Sequence, residues 1–184
     1  MLYIDDNIYS FDIDEAMTML PDQRRERVSA YRNERDRRAS IAAYLLLRRA
    51  LRENYGIDEP VEFGYEEGGK PFIIGHEDIH FNISHCRVAV ACVVSDRPVG
   101  VDIESIRPFK AALAKHVLND DEYATVIASD RPDSAFVRLW TMKEAYVKMT
   151  GKGIRSGLRE LDISKARFET IERDTYICTW TDGC

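Results

Sequence analysis

Val99-Gly-Val-Asp102-Ile-Glu104 is the stretch on which the reading of this chain turns. Its apolar and acidic residues alternate, and in a strand residues two apart share a face. Val101 and Ile103 are therefore expected to face a core, while Asp102 and Glu104 project together from the other side. Two adjacent carboxylates repel unless a positive charge lies between them. Magnesium suits such a pair, because it takes oxygen ligands and commonly uses only one or two carboxylates besides phosphate and water. The competing reading is an acidic strand face that resists edge-to-edge association.

Further along, Trp140-Thr-Met-Lys143-Glu144-Ala-Tyr-Val-Lys148 has helical spacing, with Glu144 and Lys148 on one face. They read either as a surface ion pair worth ~0.2–0.5 kcal/mol or as a third metal carboxylate beside a cation for a phosphate. Upstream, Phe81-Asn-Ile-Ser84-His85 ends an alternating segment on a hydroxyl and an imidazole. That pair suits an oxyanion, with a capped turn as the alternative. The run from Gly64 to Lys70-Pro71 matches G-x-x-x-x-G-K, but proline stands where a phosphate-binding loop has Ser or Thr. A strand pattern rather than a helix follows, so an ordinary P-loop is excluded. Lys70, in its glycine-flanked turn, remains either a phosphate contact or part of a simple β-turn. His76 and His80 are four apart outside any helical pattern and do not read as a zinc pair.

The chain has 184 residues, enough for one medium domain or two small ones. Hydrophobic residues at 45% and charged residues at 32% exclude a disordered or collagen-like chain. No apolar stretch approaches the roughly 20 residues of a membrane helix. The opening MLYIDDNIYS has neither the basic start nor the apolar run of a secretory signal, so a cytoplasmic protein is expected, with no membrane partner. A net charge of -6 argues against nucleic acid as a partner. The charge is uneven, however. Residues 1–20 carry five acids and no base, whereas residues 21–55 carry ten arginines against five acids. A local basic surface suits a small anionic ligand or an acidic partner, or is simply a solvated helix face. The four cysteines, Cys86, Cys92, Cys178 and Cys184, form no CxxC pair and are expected to be free thiols.

The periodicity predicts a strand over 1–4 and a helix over 21–55, with Ala43, Leu47, Ala50 and Leu51 facing a core. Short strands follow over 61–63, 71–74, 79–83, 88–94 and 99–103, separated by glycine- and proline-bearing turns. Helices are expected over 109–129 and 134–150, with Asp133 as the N-cap of the second and Gly151 and Gly153 ending it. Further strands are expected over 158–181. Helix followed by strands, twice over, allows an α+β fold of two halves joined near residue 100, residues 1–98 and 99–184.

VGVDIE (99–104) followed by WTMKEAYVK (140–148) resembles the 4′-phosphopantetheinyl transferase superfamily. GGKPF (68–72), FNISH (81–85) and ERDRRAS (34–40) are similar to the further motifs of its larger, surfactin-synthetase-activating class. The likeness covers roughly residues 20–155 and rests on the first four of these segments, in order, with ERDRRAS beside them. It implies a pseudo-dimer of two similar α+β halves, with coenzyme A and Mg2+ in the cleft between them. The implied activity moves the phosphopantetheine arm of coenzyme A to a serine of an apo acyl or peptidyl carrier protein and releases adenosine 3′,5′-bisphosphate.

Carried over by motif, the resemblance implies that Asp102, Glu104 and Glu144 hold the metal. Lys148 would meet the phosphate chain and the leaving oxygen. Glu144, or a water it orients, would take the serine proton. Ser84 and His85 would meet the nucleotide phosphates, Lys70 the same ligand, and Arg35 and Arg38 its nucleotide end. The first half would thus contact the nucleotide and the second carry the metal and catalytic motifs. Gln23 and Glu26 stand where the family often has lysine, which shifts nucleotide contacts to neighbouring arginines. The chain ends at Cys184, early for the class, so fewer strands are expected in the second half. A monomer is expected, since both halves lie in one chain. A catalytically silent module binding coenzyme A or a carrier protein, and a magnesium-dependent pyrophosphate hydrolase, are the alternatives.

Overall fold

Asn33 opens the longest helix and Gly56 closes it. In the computed structural model, which describes residues 1–151, 153 and 157–183, α3 (Glu34–Tyr55) starts where the Asn33 side chain accepts from the Asp36 N–H. It ends at Gly56 with φ of 70°, a left-handed conformation that favours glycine. The continuous helix expected from residue 21 is therefore divided. A shorter α2 (Asp22–Ser29) precedes the break, because the Asn33 side chain competes for backbone groups that a continuous helix would use. An earlier helix, α1 (Ile13–Thr18), capped by Asp12, is not anticipated by the sequence reading.

The buried face of α3, including Ile41, Tyr44, Leu47 and Leu51, covers a three-stranded antiparallel sheet. Its strands are β1 (Leu2–Asp5), β4 (His80–His85) and β5 (Val90–Ser95), in the order β1-β5-β4. The central strand alternates as a two-sided strand should. Val90, Cys92 and Val94 join the α3 side, while Ala91 and Val93 face the second half. A small hairpin of β2 (Phe63–Tyr65) and β3 (Pro71–Ile73) flanks this sheet.

The second half repeats the plan. β6 (Gly100–Ser105) is followed by α4 (Ala111–Val117), α5 (Asp120–Ile127) and the long α6 (Pro132–Thr150). A 3-10 turn at Leu158–Glu160 then leads to β7 (Glu169–Glu172) and β8 (Tyr176–Thr181). The sheet order is β6-β8-β7. In each half the first strand is at one edge, the last is central and the penultimate is at the other edge. This shared order, with one long helix on each outer side, is the two-half α+β arrangement expected from the sequence. Ala91 and Val93 of one sheet pack with Val101, Ile103 and Cys178 of the other, forming the apolar seam between the halves.

Three local expectations are corrected. The helix expected over 109–129 is two helices, because Asn119 and Glu122 form a reciprocal capping box that starts α5 afresh. Asp133 does not cap α6, which begins at Pro132, and its carboxylate instead accepts from the Phe109 N–H at 2.9 Å. Residues 158–160 form the 3-10 turn rather than a strand. Cys86, Cys92 and Cys178 are buried free thiols, and Cys184 lies outside the described residues. No described helix is long and apolar enough to cross a membrane.

Candidate active site at the junction of the halves

Polar side chains of β4 bind the backbone of β6. Asn82 and Ser84, two apart and so on one face, accept from the N–H groups of Val101 at 2.9 Å and Ile103 at 3.4 Å. The constant offset shows the two strands running alongside in the same direction. An edge strand that would otherwise leave buried donors orphaned is satisfied by an amide and a hydroxyl.

On its other face β6 meets α6 at Gly100. A Cβ there would lie 2.0 Å from the Ala145 carbonyl oxygen and 2.5 Å from the Met149 nitrogen. Only glycine permits this approach, and it brings the acidic face of β6 beside the Glu144–Lys148 face of α6. Ser84, His85, Asp102, Glu104, Glu144 and Lys148 consequently line one cleft of about 370 Å³, together with Ile83 and Trp140.

Within the cleft, Asp102 is 4% exposed. Its Oδ1 accepts from Lys148 Nζ at 2.6 Å and from Ser84 Oγ at 2.9 Å, and Lys148 Nζ also donates to Ser84 Oγ at 2.9 Å. Lys148 thus pairs with the strand carboxylate rather than forming the surface pair with Glu144. Asp102 Oδ2 is buried and has no hydrogen-bond partner among the described residues. Burial, and then the charge of Asp102, push the carboxyls of Glu104 and Glu144 above their ordinary range. Lys148 offsets part of this in both. The His85 side chain reaches the surface, yet the surrounding walls desolvate it. That desolvation, and then Lys148, lower its pKa and favour the neutral imidazole.

The remaining predicted residues stand around the cleft rather than in it. Lys70 Nζ donates to the Met149 carbonyl at 2.6 Å and burial lowers its pKa. It caps the carboxyl end of α6, where a cation suits the helix dipole. Its turn packs tightly there, since a Cβ on Gly68 would lie 2.3 Å from the Gly151 oxygen. Lys70 lines a neighbouring hollow of about 230 Å³, which Lys148 also lines. Arg38 is committed to the fold by bonds to Glu34 and the Phe11 carbonyl, both at 2.8 Å, and by the rings of Tyr9 and Phe11. Arg35 is about half exposed and pairs with Asp36 at 3.2 Å. Both of these charges act on His85, which puts the first turn of α3 beside the cleft.

Lys143 is the residue the sequence reading passed over. It is fully buried, with Nζ 2.7 Å from Glu122 and donating to the Val117 and Leu158 carbonyls at 3.2 and 2.8 Å. Successive helical residues point about 100° apart. Anchoring Lys143 inward therefore fixes the rotation of α6 that turns Glu144 to the cleft. Gly100 and Asn82 were likewise unread. The glycine opening an acidic strand and the polar residue inside an apolar one were the available signals.

The donor set fits a hard divalent cation. Three carboxylates face one ammonium, two of them are destabilised as anions, and one buried oxygen is orphaned. Such oxygens suit magnesium. Among the described residues, however, no group of three or more potential ligands is already drawn into metal-binding geometry. Lys148 occupies Asp102 Oδ1 instead.

Two α+β halves with a shared strand order and an acidic cleft at their junction define a class, and the comparisons agree. Residues 98–182 match the 4'-phosphopantetheinyl transferase superfamily, and residues 9–96 match the family described as 4'-phosphopantetheinyl transferase, N-terminal. The chain is 33% identical over 156 residues to a 4'-phosphopantetheinyl transferase of Bacillus subtilis, covering 83% of this chain and 70% of that protein. It is 30% identical to 4'-phosphopantetheinyl transferase Sfp of Bacillus subtilis (strain 168), with the same coverage of 83% and 70%. Over a shorter stretch of 123 residues it is 42% identical to 4'-phosphopantetheinyl transferase AcpT of Salmonella typhi, covering 62% of this chain and 60% of that protein. The chain belongs to the 4'-phosphopantetheinyl transferase superfamily, as an enzyme of its Sfp-like, two-half class.

Proposed function

We propose that the enzyme transfers the phosphopantetheine arm of coenzyme A to a serine of an apo acyl or peptidyl carrier protein, in a magnesium-dependent reaction that releases adenosine 3′,5′-bisphosphate. The observation that carries this reading is the meeting of Asp102, Glu104 and Glu144 around Lys148 in one cleft. Asp102, through its unpartnered Oδ2, Glu104 and Glu144 would hold the ion, which when bound supplies positive charge against the diphosphate. The serine oxygen forms the new bond to the phosphorus beside the arm, and the bridging bond to the nucleotide breaks. Glu144, beside the ion, accepts the serine proton directly or through a water. Lys148, one helical turn away, donates to the leaving bridging oxygen. Positioning and charge stabilisation carry most of such a transfer.

On this reading the first half supplies the nucleotide contacts. His85 gains a reason to hold a proton once a phosphate enters, and Arg35 lies close enough to act on it. Ser84, bonded to Asp102 and Lys148, links the phosphate side to the metal side. Lys70 contributes through α6 and the shared hollow. We place the division between halves at 98/99, just before β6, supported by family matches of which one ends at residue 96 and the next begins at residue 98. A hollow beside Glu104 and Trp140, carrying Arg107 and Lys110, offers positive charge to an acidic carrier protein. We place the enzyme in the cytoplasm as a monomer, a reading supported by its free buried thiols and by both halves lying in one chain.

Incubation with coenzyme A, Mg2+ and a panel of apo carriers, followed by intact-mass measurement, tests this. One phosphopantetheine added per modified carrier chain, lost when the acceptor serine is replaced by alanine, is the expected result. Adenosine bisphosphate released without any carrier being modified would overturn it in favour of a hydrolase.

A further inference from the structure

Lys148 does more in this structure than wait for a phosphate. Its ammonium lies on Asp102 Oδ1 at 2.6 Å and on Ser84 Oγ at 2.9 Å. It also offsets the charge felt by Glu104 and Glu144. Three carboxylates therefore share one resident cation whose stem rises from a neighbouring helical turn. Ser84 completes the hold by donating to the same Asp102 oxygen. An ammonium in that place and a divalent ion drawing on the same carboxylate compete for one centre of negative potential.

We propose that Lys148 is a built-in placeholder for the divalent cation: it offsets part of the charge of the acidic cluster in the metal-free protein, and arrival of the metal displaces its ammonium from Asp102 towards the cleft, where an anionic diphosphate then meets it. This rests on the assignment of Asp102, Glu104 and Glu144 as the metal ligands. The charge count explains the exchange. Three carboxylates and a divalent ion leave one net negative charge, which no longer requires the ammonium at hydrogen-bond distance from Asp102. The side chain is already 28% exposed, against 6% for Asp102, so it has solvent to move into. The four-carbon stem of lysine allows such a swing without moving α6.

Two measurements on the metal-free protein test this without using turnover. In the first, Mn2+ binding is followed by calorimetry. Lys148→Met is expected to tighten it at least tenfold. Arg107→Gln, which removes a charge that acts on Glu104 without an ion pair to Asp102, is expected to change it less than threefold. In the second, the reactivity of Lys148 in the wild-type protein towards an acetylating reagent is mapped by peptide mass with and without Mg2+. Release from Asp102 predicts that the metal increases labelling, the reverse of ordinary ligand protection. Unchanged affinity in Lys148→Met, or labelling that falls on adding Mg2+, would overturn the placeholder role. Asp102→Asn serves as the separate check on the ligands. If it leaves Mn2+ affinity intact, the metal assignment itself is wrong. If it abolishes binding while the lysine results fail, only the placeholder idea falls.

Discussion

Ala145 crosses Gly100 so closely that a Cβ on the glycine would lie 2.0 Å from the alanine carbonyl oxygen. The obstacle is helix backbone, which cannot swing aside as a side chain could. Gly100→Ala is therefore expected to push α6 away from β6. The cost is about 1–3 kcal/mol in urea unfolding, typical of overpacking, and transfer should fall at least tenfold because Glu144 retreats from Asp102. A variant with normal turnover would show that this contact does not set the site.

The seam between β4 and β6 depends on Asn82. Removing its amide leaves the buried Val101 N–H without its acceptor. Asn82→Ala is expected to lose about 1–3 kcal/mol, measured by denaturant unfolding, with a parallel loss of transfer as β6 loosens. A loss below about 0.5 kcal/mol, the usual size for an unremarkable surface change, would count against the seam.

Glu144 gives a pH signature. Burial and the Asp102 charge raise its folded pKa, as they do for Glu104. Such a carboxyl favours the fold below its unfolded pKa, and that contribution is lost as pH rises through the folded value. In the metal-free protein, Glu144→Gln should therefore gain stability relative to wild type as pH climbs from the ordinary glutamate range through the raised value. It should also abolish transfer while keeping the fold. Thermal unfolding across that range is the check, and a difference independent of pH would contradict the shift.

Arg35 and Arg38 share a motif but differ in what they touch. Arg38 is tied to Glu34, the Phe11 carbonyl and two rings. Arg38→Ala should cost about 1.5–3 kcal/mol of stability, as loss of a charged hydrogen bond does. Arg35, which among the described residues pairs with Asp36 of its own helix turn, is the freer of the two to meet a nucleotide. Arg35→Ala should raise KM for coenzyme A severalfold with kcat nearly kept. An unchanged KM would remove Arg35 from the nucleotide contacts.

Most of this was legible because the decisive residues lie in regular elements. Strand alternation placed Asp102 and Glu104 on one face, and helical spacing placed Glu144 and Lys148 on another. Periodicity says which way a side chain points within its element, but not which element it meets. The Lys148–Asp102 pair, the capping of α6 by Lys70 and the inward anchor of Lys143 all join distant segments, so local pattern was silent about them. The helix breaks at Asn33 and Asn119 were missed for a different reason. A side chain that caps by accepting one N–H leaves the surrounding apolar spacing almost unbroken.

Three acids, two from a strand and one from a distant helix, are proposed to hold one divalent ion. The direct test is anomalous scattering from crystals grown with Mn2+ and coenzyme A. The expected result is a manganese peak within coordination distance of oxygens of Asp102, Glu104 and Glu144, with the diphosphate beside it and Lys148 off Asp102 Oδ1. A peak elsewhere, or these three carboxylates facing Lys148 and water alone beside bound coenzyme A, would contradict it.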